Sequence, residues 1–266
     1  STEYISSFLG MDALLVGGND YRFYGNIVVR DNSVMRVESG SSLTIPKGNT
    51  LLVSGVLDLE GWKERISVNP GGSSGTIEVT NNGVLIARSV DFNNSRVLVE
   101  GAAVVVFDDC TFSGGLKING ARTVQIYNSL INGEILVENV RELLVHLSEF
   151  SGKDLTYSNL GSALLSRSTF GSQSIVVMHS RVEAVGSLFE SGEIEINKTS
   201  SLSLAGSSIR DTEIEISGAS SLHFEELEIA GQVMIDLKGL SRLSIQEDAK
   251  EIIEIISDAK SSVKVY

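Results

Sequence analysis

Several residue classes are scarce in this sequence, and each shortage excludes something. Only one cysteine, Cys110, is present, so an intramolecular disulfide is impossible. Lysine and arginine total 21 against 34 aspartate and glutamate residues, a formal net charge of −13. This acidic balance argues against nucleic acid and anionic membrane surfaces as partners. No apolar run approaches the length needed to cross a bilayer, and no signal peptide is visible.

Motifs that hold cofactors and metals are also missing. No phosphate-binding loop, dinucleotide fingerprint or CxxC pair occurs. The histidines His146, His179 and His223 fall at different positions of the repeat described next, which gives a histidine metal site no support. We therefore expect neither a cofactor nor a bound metal.

What the sequence has is a three-residue phrase that returns every 19 or 20 residues between Leu85 and Ile235. A period of this length predicts stacked repeats, each too small to bury its apolar face alone. The apolar third members of the phrase are Phe92, Phe112, Ile131, Phe150, Phe170, Phe189, Ile209 and Ile229.

One pair of apolar residues precedes each phrase and another follows it. The two members of a pair are separated by a single residue. The preceding pairs are Leu85/Ala87, Val105/Phe107, Val124/Ile126, Leu143/Val145, Ala163/Leu165, Val182/Ala184, Leu202/Leu204 and Leu222/Phe224. The following pairs are Val97/Val99, Leu116/Ile118, Ile135/Val137, Leu155/Tyr157, Ile175/Val177, Ile194/Ile196, Ile214/Ile216 and Val233/Ile235. Such alternation predicts three short strands per repeat, and parallel crossovers are nearly always right-handed. The sequence thus predicts an all-β, right-handed parallel β-helix.

Small residues form a column two positions before the apolar third members. Its members are Cys110, Ser129, Ser148, Ser168, Ser187 and Ser207. A nucleophile needs a base beside it, whereas serines repeated on successive coils are typical of a structural ladder near a corner. We expect the structural role.

The repeat predicts three segments. Residues 25–246 form the β-helix, with about 11 coils. Residues 1–24 precede it as a capping or docking segment, in which Tyr4, Ile5, Phe8, Leu9, Met11 and Leu15 fall roughly on a helical face. Residues 247–266 follow as a capping helix, indicated by Ala249, Ile252, Ile253, Ile256 and Ala259, and a terminal strand, folded back or offered to a neighbour.

The segments Val34–Gly48 and Val53–Gly61 resemble the opening coils of surface and secreted right-handed β-helix proteins. In those proteins an L-x-I-x-x-G turn is followed by an apolar stretch and G-x-L, as in Leu43–Gly48 and Gly55–Leu57 here. The resemblance covers about residues 27–245. It implies a fold and no particular activity.

One predicted corner gathers acidic, basic and aromatic side chains from successive coils. They are Arg88, Asp108, Asp109, Tyr127, His146 and Arg167. Groups of this kind serve in sugar-binding and sugar-cleaving grooves. Pectate lyases, polygalacturonases and phage tailspikes share the β-helix fold, and of the polygalacturonase elements only Asp108-Asp109 is matched. A carbohydrate-binding or polysaccharide-cleaving module is therefore the alternative function, with surface polysaccharide as its partner.

A set of outward positions is apolar where charge is expected. These residues are Ile86, Val106, Leu144, Leu164, Leu98, Leu136 and Val176, and we call them the apolar strip. A strip of this kind usually marks a covered surface, either within the chain or between copies. The sequence favours a non-catalytic structural protein, extracellular or at a cell surface. It would assemble with copies of itself into a filament, sheath or appendage through this strip and its termini.

Two further hypotheses remain from the sequence. The chain resembles bactofilins, which are cytoskeletal polymers, in its small coils and lack of a groove. Two sequons begin at Asn93 and Asn197 and predict N-glycosylation at coil corners.

Overall fold

The computed structural model describes residues 1–5, 12–171 and 174–266, and it is a parallel β-solenoid of about 13 turns. The chain divides into two compact units, Ser1–Ile135 and Leu136–Tyr266. Helical structure in the described ranges is confined to a 3-10 turn at Pro70–Gly72 and one short helix, α1 (Glu247–Lys250). The predicted all-β solenoid is confirmed.

The strands of the first unit, in chain order, are β1 (Thr2–Ile5), β2 (Ala13–Leu15), β3 (Asp20–Phe23), β4 (Ile27–Val29), β5 (Val34–Glu38), β6 (Ser42–Thr44), β7 (Thr50–Val53), β8 (Val56–Glu60), β9 (Ile66–Val68), β10 (Thr76–Thr80), β11 (Val84–Arg88), β12 (Val90–Phe92), β13 (Arg96–Asp108), β14 (Thr111–Phe112), β15 (Leu116–Tyr127) and β16 (Leu130–Asn132).

The strands of the second unit, which begins within β17, are β17 (Ile135–His146), β18 (Glu149–Ser151), β19 (Asp154–Ser158), β20 (Ser162–Ser166), β21 (Thr169–Phe170), β22 (Ser174–Met178), β23 (Arg181–Val185), β24 (Leu188–Phe189), β25 (Glu193–Asn197), β26 (Ser201–Ala205), β27 (Ser208–Ile216), β28 (Ser221–Glu225), β29 (Glu228–Leu237), β30 (Arg242–Ile245), β31 (Glu254–Ser257) and β32 (Ser262–Val265).

Within each unit the strands pair in parallel on three faces. Face A carries the first apolar pair of each repeat, as in β11 beside the second half of β13. Face B carries the three-residue phrase, as in β12 beside β14. Face C carries the second apolar pair, as in β10 beside the first half of β13. Each strand contributes only two or three inward residues before the chain turns, so one turn of the solenoid is built from three short strands.

The core lies between the three faces. The inward pairs predicted for faces A and C are all 6% exposed or less. The phenylalanines of face B stack along the unit axis, with ring centroids 4.7 Å apart for Phe92 and Phe112 and 5.0 Å for Phe170 and Phe189. The predicted inward register is therefore confirmed.

The small-residue column is a hydrogen-bonded ladder. In the second unit, the Oγ atoms of Ser168, Ser187 and Ser207 each accept the backbone N–H of the column residue one turn earlier, at 3.1–3.2 Å. A second column, which the sequence analysis missed, does the same at Ser180, Ser200 and Ser220. Burial raises the pKa of the Cys110 thiol to about 12, consistent with a packing role.

The first terminal segment differs from its prediction. The helical face expected over residues 4–15 is wrong at Tyr4, Ile5 and Leu15, which lie in β1 and β2. Those strands pair in parallel with β3 and β5 and extend the solenoid. Phe8, Leu9 and Met11 lie outside the described residues.

The C-terminal segment differs in the same way. The capping helix shrinks to the four residues of α1, and Ile256 lies in β31 instead. Residues Ser262–Val265 form β32, which pairs in parallel with β30. The additional face-A strands β2 and β32 explain why about 13 turns are present where about 11 were predicted.

Candidate functional site

The last turn of face A exposes core positions. Leu243 and Ile245 on β30 are 1% and 0% exposed, whereas their partners Val263 and Val265 on β32 are each 36% exposed. The side chains occupy the same inward columns. They differ because, among the described residues, no strand follows β32 on this face.

The backbone of β32 offers an unpaired edge as well. The N–H groups of Ser262 and Tyr266 donate to the carbonyls of Ser241 and Ile245, at 3.0 and 3.2 Å. Alternate residues of a parallel strand point their N–H and C=O groups to opposite sides. The N–H and C=O groups of Val263 and Val265 therefore face the open edge.

Faces B and C end differently. On face C, β31 is the last strand, and its outward Ile256 is exposed. On face B, the short helix α1 takes the place of the next strand, and its residue Ala249 is buried. Two of the three faces at this end thus finish in a strand with no following partner among the described residues.

The other end of the chain also presents strand edges. In the described ranges, β1 on face B pairs only with β3, and β2 on face A pairs only with β5. Leu14 at the centre of β2 is exposed and apolar. The unpaired N–H and C=O groups of a strand edge can serve as a template for pairing with another chain.

A separate site in the first unit is a network of ion pairs at the face A to face B corner. Arg65 donates from Nε to Asp91 Oδ1 at 2.9 Å, and from its two terminal nitrogens to Oδ2 and the backbone carbonyl of Asp109, each at 2.8 Å. Although burial lowers it, these hydrogen bonds leave the pKa of Arg65 above its ordinary value. The loop that contains Arg65 is thereby fixed to the two following turns.

Trp62, in the same loop, is 61% exposed. The guanidinium carbon of Arg88 lies 5.4 Å from its ring centroid, a cation–π distance. Arg88 also lies 3.6 Å from the carboxylate of Asp58, which is only 6% exposed. Arg36 approaches the second oxygen of Asp58 at 3.3 Å. An exposed aromatic ring thus lies beside Arg88, whose ion-pair partner Asp58 is buried.

No protein-family model, curated protein or solved structure matches this chain. No helix in the described part of the chain is long and apolar enough to span a membrane. Function must therefore be argued from the geometry of the chain.

The structure brings together only part of the predicted carbohydrate corner. Arg88, Asp108 and Tyr127 stand side by side on successive turns of the first unit. Asp109 is occupied by Arg65 and by the hydroxyl of Ser89, at 2.7 Å. His146 and Arg167 belong to the second unit. The contact between Trp62 and Arg88 could not be predicted from the sequence, because it depends on the conformation of the loop.

The apolar strip is mostly half-buried by its own neighbours. In the first unit Ile86 pairs with Val106, and Leu98 lies on face C. In the second unit Leu144 pairs with Leu164, while Leu136 and Val176 lie on face C. Of the seven, Leu164 is the most open, at 39% exposed. The strip's role in assembly stays a prediction.

The sequon asparagines both use their side-chain amides within the fold. Asn93 Nδ2 donates to Ser67 Oγ at 2.9 Å and to the Val68 carbonyl at 3.0 Å. Asn197 Nδ2 donates to Glu195. Glycosylation at these positions would displace those bonds and stays a prediction. The described residues hold no His, Cys, Asp and Glu group suited to a metal ion.

Proposed function

We propose that this chain is a non-catalytic structural protein that assembles with copies of itself through the strand edges at its ends. The observation that carries the proposal is the 36% exposure of Val263 and Val265, in columns that are closed everywhere else on face A of the second unit. Covering these side chains with another strand would remove apolar surface from water and satisfy the backbone groups at the edge.

The chemistry of the terminal strands supports this role. Soluble proteins usually blunt an exposed edge with charges, proline or a covering segment. On β32 the inward positions are valines, and the one charge, Lys264, points outward beside Ser244. Assembly at such edges extends the solenoid and suits a filament, sheath or appendage at the cell surface or outside the cell.

The first test is electron microscopy of the purified protein, together with sedimentation over a range of concentrations. We expect elongated assemblies and a mass that rises with concentration. The double variant Val263→Lys/Val265→Lys places two ammonium groups at the edge and should sediment as a monomer. Lys264→Gln, an outward change on the same strand, should assemble as the native protein does.

The apolar strip provides a second arm of this test. Leu144→Lys/Leu164→Lys should leave end-to-end assemblies intact and remove only lateral association between them. A native protein that stays monomeric at every concentration would exclude the proposal.

A second candidate function is binding of a saccharide in the first unit, favoured by the exposed Trp62 ring beside Arg88. Aromatic faces accept the apolar side of a sugar ring, while neighbouring charged groups bond its hydroxyls. Arg88 supplies such a group beside the ring, and the bonds of Arg65 hold the loop in place.

Binding to neutral and acidic polysaccharides tests this candidate. Trp62→Ala should abolish binding, whereas Tyr24→Ala removes another exposed aromatic of the first unit and should not. Asp108→Asn and Asp109→Asn test cleavage. Turnover that is present in the native protein and lost in both variants would replace the non-catalytic interpretation with an enzyme.

A further inference from the structure

We infer that the Trp62 site in the first unit takes a neutral saccharide in preference to a uronic acid saccharide. Arg88 donates hydrogen bonds to the hydroxyl groups of the sugar, and Glu60 and Asp108 accept from them. The inference rests on the second candidate function, saccharide binding, and names its class of ligand. It depends on an anchored loop, an arginine with free donors, and carboxylates on both sides of that arginine.

The loop that carries Trp62 is anchored at both ends. At its start, Gly61 N–H donates to the Arg88 carbonyl at 2.8 Å. A Cβ atom at Gly61 would collide with the Ser89 carbonyl oxygen, so only glycine allows this approach. At its end, the bonds of Arg65 fix the loop to the following turns. Little of the loop therefore has to be ordered when a ligand binds, which favours affinity.

Arg88 keeps its hydrogen-bond donors free. The nearby Asp58 Oδ1 lies 3.6 Å away, beyond hydrogen-bond distance, and Arg88 donates no side-chain hydrogen bond to any described residue. Asp58 is only 6% exposed, so it balances the charge of Arg88 without reaching a ligand. A guanidinium group carries five N–H donors. Those of Arg88 are available to the oxygen atoms of a sugar that lies on the Trp62 ring.

Carboxylates flank Arg88 along the stack. Glu60 is its register partner on the preceding turn, and Asp108 is its partner on the following one. Neighbouring strands are roughly 4.8 Å apart. The three residues end their strands at the same corner, where none of them is buried. This row places a donor between two acceptors, which suits neighbouring hydroxyl groups that both donate and accept.

The charge balance favours neutral over acidic sugars. Arg36 lies 3.8 Å from Glu60 and 3.3 Å from Asp58. With Arg88 and Asp108, two guanidinium groups and three carboxylates meet here, a formal net charge of −1. The carboxylate of a uronic acid would therefore find no uncompensated cation. Like charges about 4 Å apart in water weaken binding about fivefold, and a hydroxyl group carries no such penalty.

Tryptophan fluorescence tests the inference, because Trp62 is the only tryptophan in the chain. Dilute protein is titrated with oligosaccharides of glucose, galactose and mannose, and with oligogalacturonate of the same length. A sugar ring stacked on the indole removes it from water and moves its emission to shorter wavelength. We expect this shift with at least one neutral series, at a concentration about fivefold or more below that needed with oligogalacturonate.

Three variants identify the groups responsible. Glu60→Gln/Asp108→Asn removes both flanking charges, so it should weaken neutral binding several-fold and narrow the difference between the two ligand classes. Arg88→Lys keeps the charge but loses the planar fork, and it should also weaken neutral binding several-fold. Glu78→Gln/Glu100→Gln removes two outward carboxylates from face C of the same unit and should leave that difference unchanged.

The outcomes separate the ligand class from the saccharide site itself. If oligogalacturonate shifts the emission at the lower concentration, saccharide binding stands and the neutral class is wrong. If Glu60→Gln/Asp108→Asn binds the neutral sugar as tightly as the native protein, these carboxylates do not contact the ligand and the inference is overturned. If no saccharide shifts the emission, the second candidate function fails together with the inference. Self-assembly is measured by sedimentation and is independent of all three results.

Discussion

Two neighbouring strands of face A, β30 and β32, differ in whether a strand pairs with them on one side or on both. Leu243 and Ile245 on β30 have a strand on each side, whereas Val263 and Val265 on β32 have one side open. The sequence pattern of the two strands is the same, with inward apolar residues around an outward polar one. In a solenoid each turn is covered only by its neighbours. Position along the stack therefore decides whether a residue stabilises the monomer or is available to a partner.

The largest expected effect comes from truncating the same column on the two turns. Leu243→Ala should lower the free energy of unfolding by about 2–5 kcal/mol, because it leaves a cavity in a closed core. Val263→Ala should cost about 1 kcal/mol or less, because its side chain is already partly in water. Urea unfolding of dilute, monomeric protein measures both. Equal losses would mean that the last turn is as well covered as the interior.

The serine column gives a smaller contrast of the same kind. Ser200 Oγ accepts the N–H of Ser180 at 3.3 Å and donates to the Asn197 carbonyl at 2.6 Å. Ser241, in the same column and just as buried, has a hydroxyl with no partner. Ser200→Ala should therefore cost about 1–3 kcal/mol by leaving a buried N–H unsatisfied. Ser241→Ala should be close to neutral in the same unfolding assay, and an equal cost would contradict the ladder.

A gain of stability is expected at one interior corner. Leu147 is exposed and holds a left-handed backbone with φ of 50°. A left-handed backbone costs an ordinary residue about 1 kcal/mol, and asparagine tolerates it better. Leu147→Asn should raise the unfolding midpoint, whereas Leu144→Asn, on a regular strand, should lower it. A fall in both would show that Leu147 contributes packing that outweighs its strain.

The smallest effect is a pH dependence of the turn that leads into β32. The Asp258 carboxylate accepts the N–H groups of Gly239, Lys260 and Ser261, and these bonds lower its pKa below the ordinary value. A lowered folded-state pKa gives stability that is full above the unfolded pKa and is lost as the pH falls through the folded one. The protection factors of the amides in β32, which correct for the pH dependence of intrinsic exchange, should therefore fall in acid. Asp258→Asn should flatten this dependence, and an unchanged profile would contradict the assignment.

Much of the fold could be predicted from sequence because the inward pairs repeat with a nearly fixed period. The ends were mispredicted for a physical reason. Ala249, Ile252, Ile253 and Ile256 fall at helical spacing, but the helix stops at Lys250 and the residues from Glu254 to Ser257 pair with β29, about 20 residues earlier. Long-range strand pairing overrides a local pattern.

The candidate sites were harder to predict than the fold. The bonds from Arg65 to Asp91 and Asp109 span 26 and 44 residues. The positions of Asp91 and Asp109 follow the regular repeat, but the path of the loop from Gly61 to Arg65 does not. The left-handed backbone at Leu147 and Arg167 was not predicted, because neither residue type is typical of that conformation.

The most direct test of the central claim is residue-resolved amide hydrogen exchange in β32 at low and high protein concentration. Ser262 and Tyr266 N–H groups are bonded within the chain and should be protected at both. Val263 and Val265 N–H groups face the open edge and should exchange quickly in dilute protein and become protected in the assemblies. If assemblies form while these two amides keep exchanging quickly, the strand edge is not the contact, and this account of the molecule is wrong.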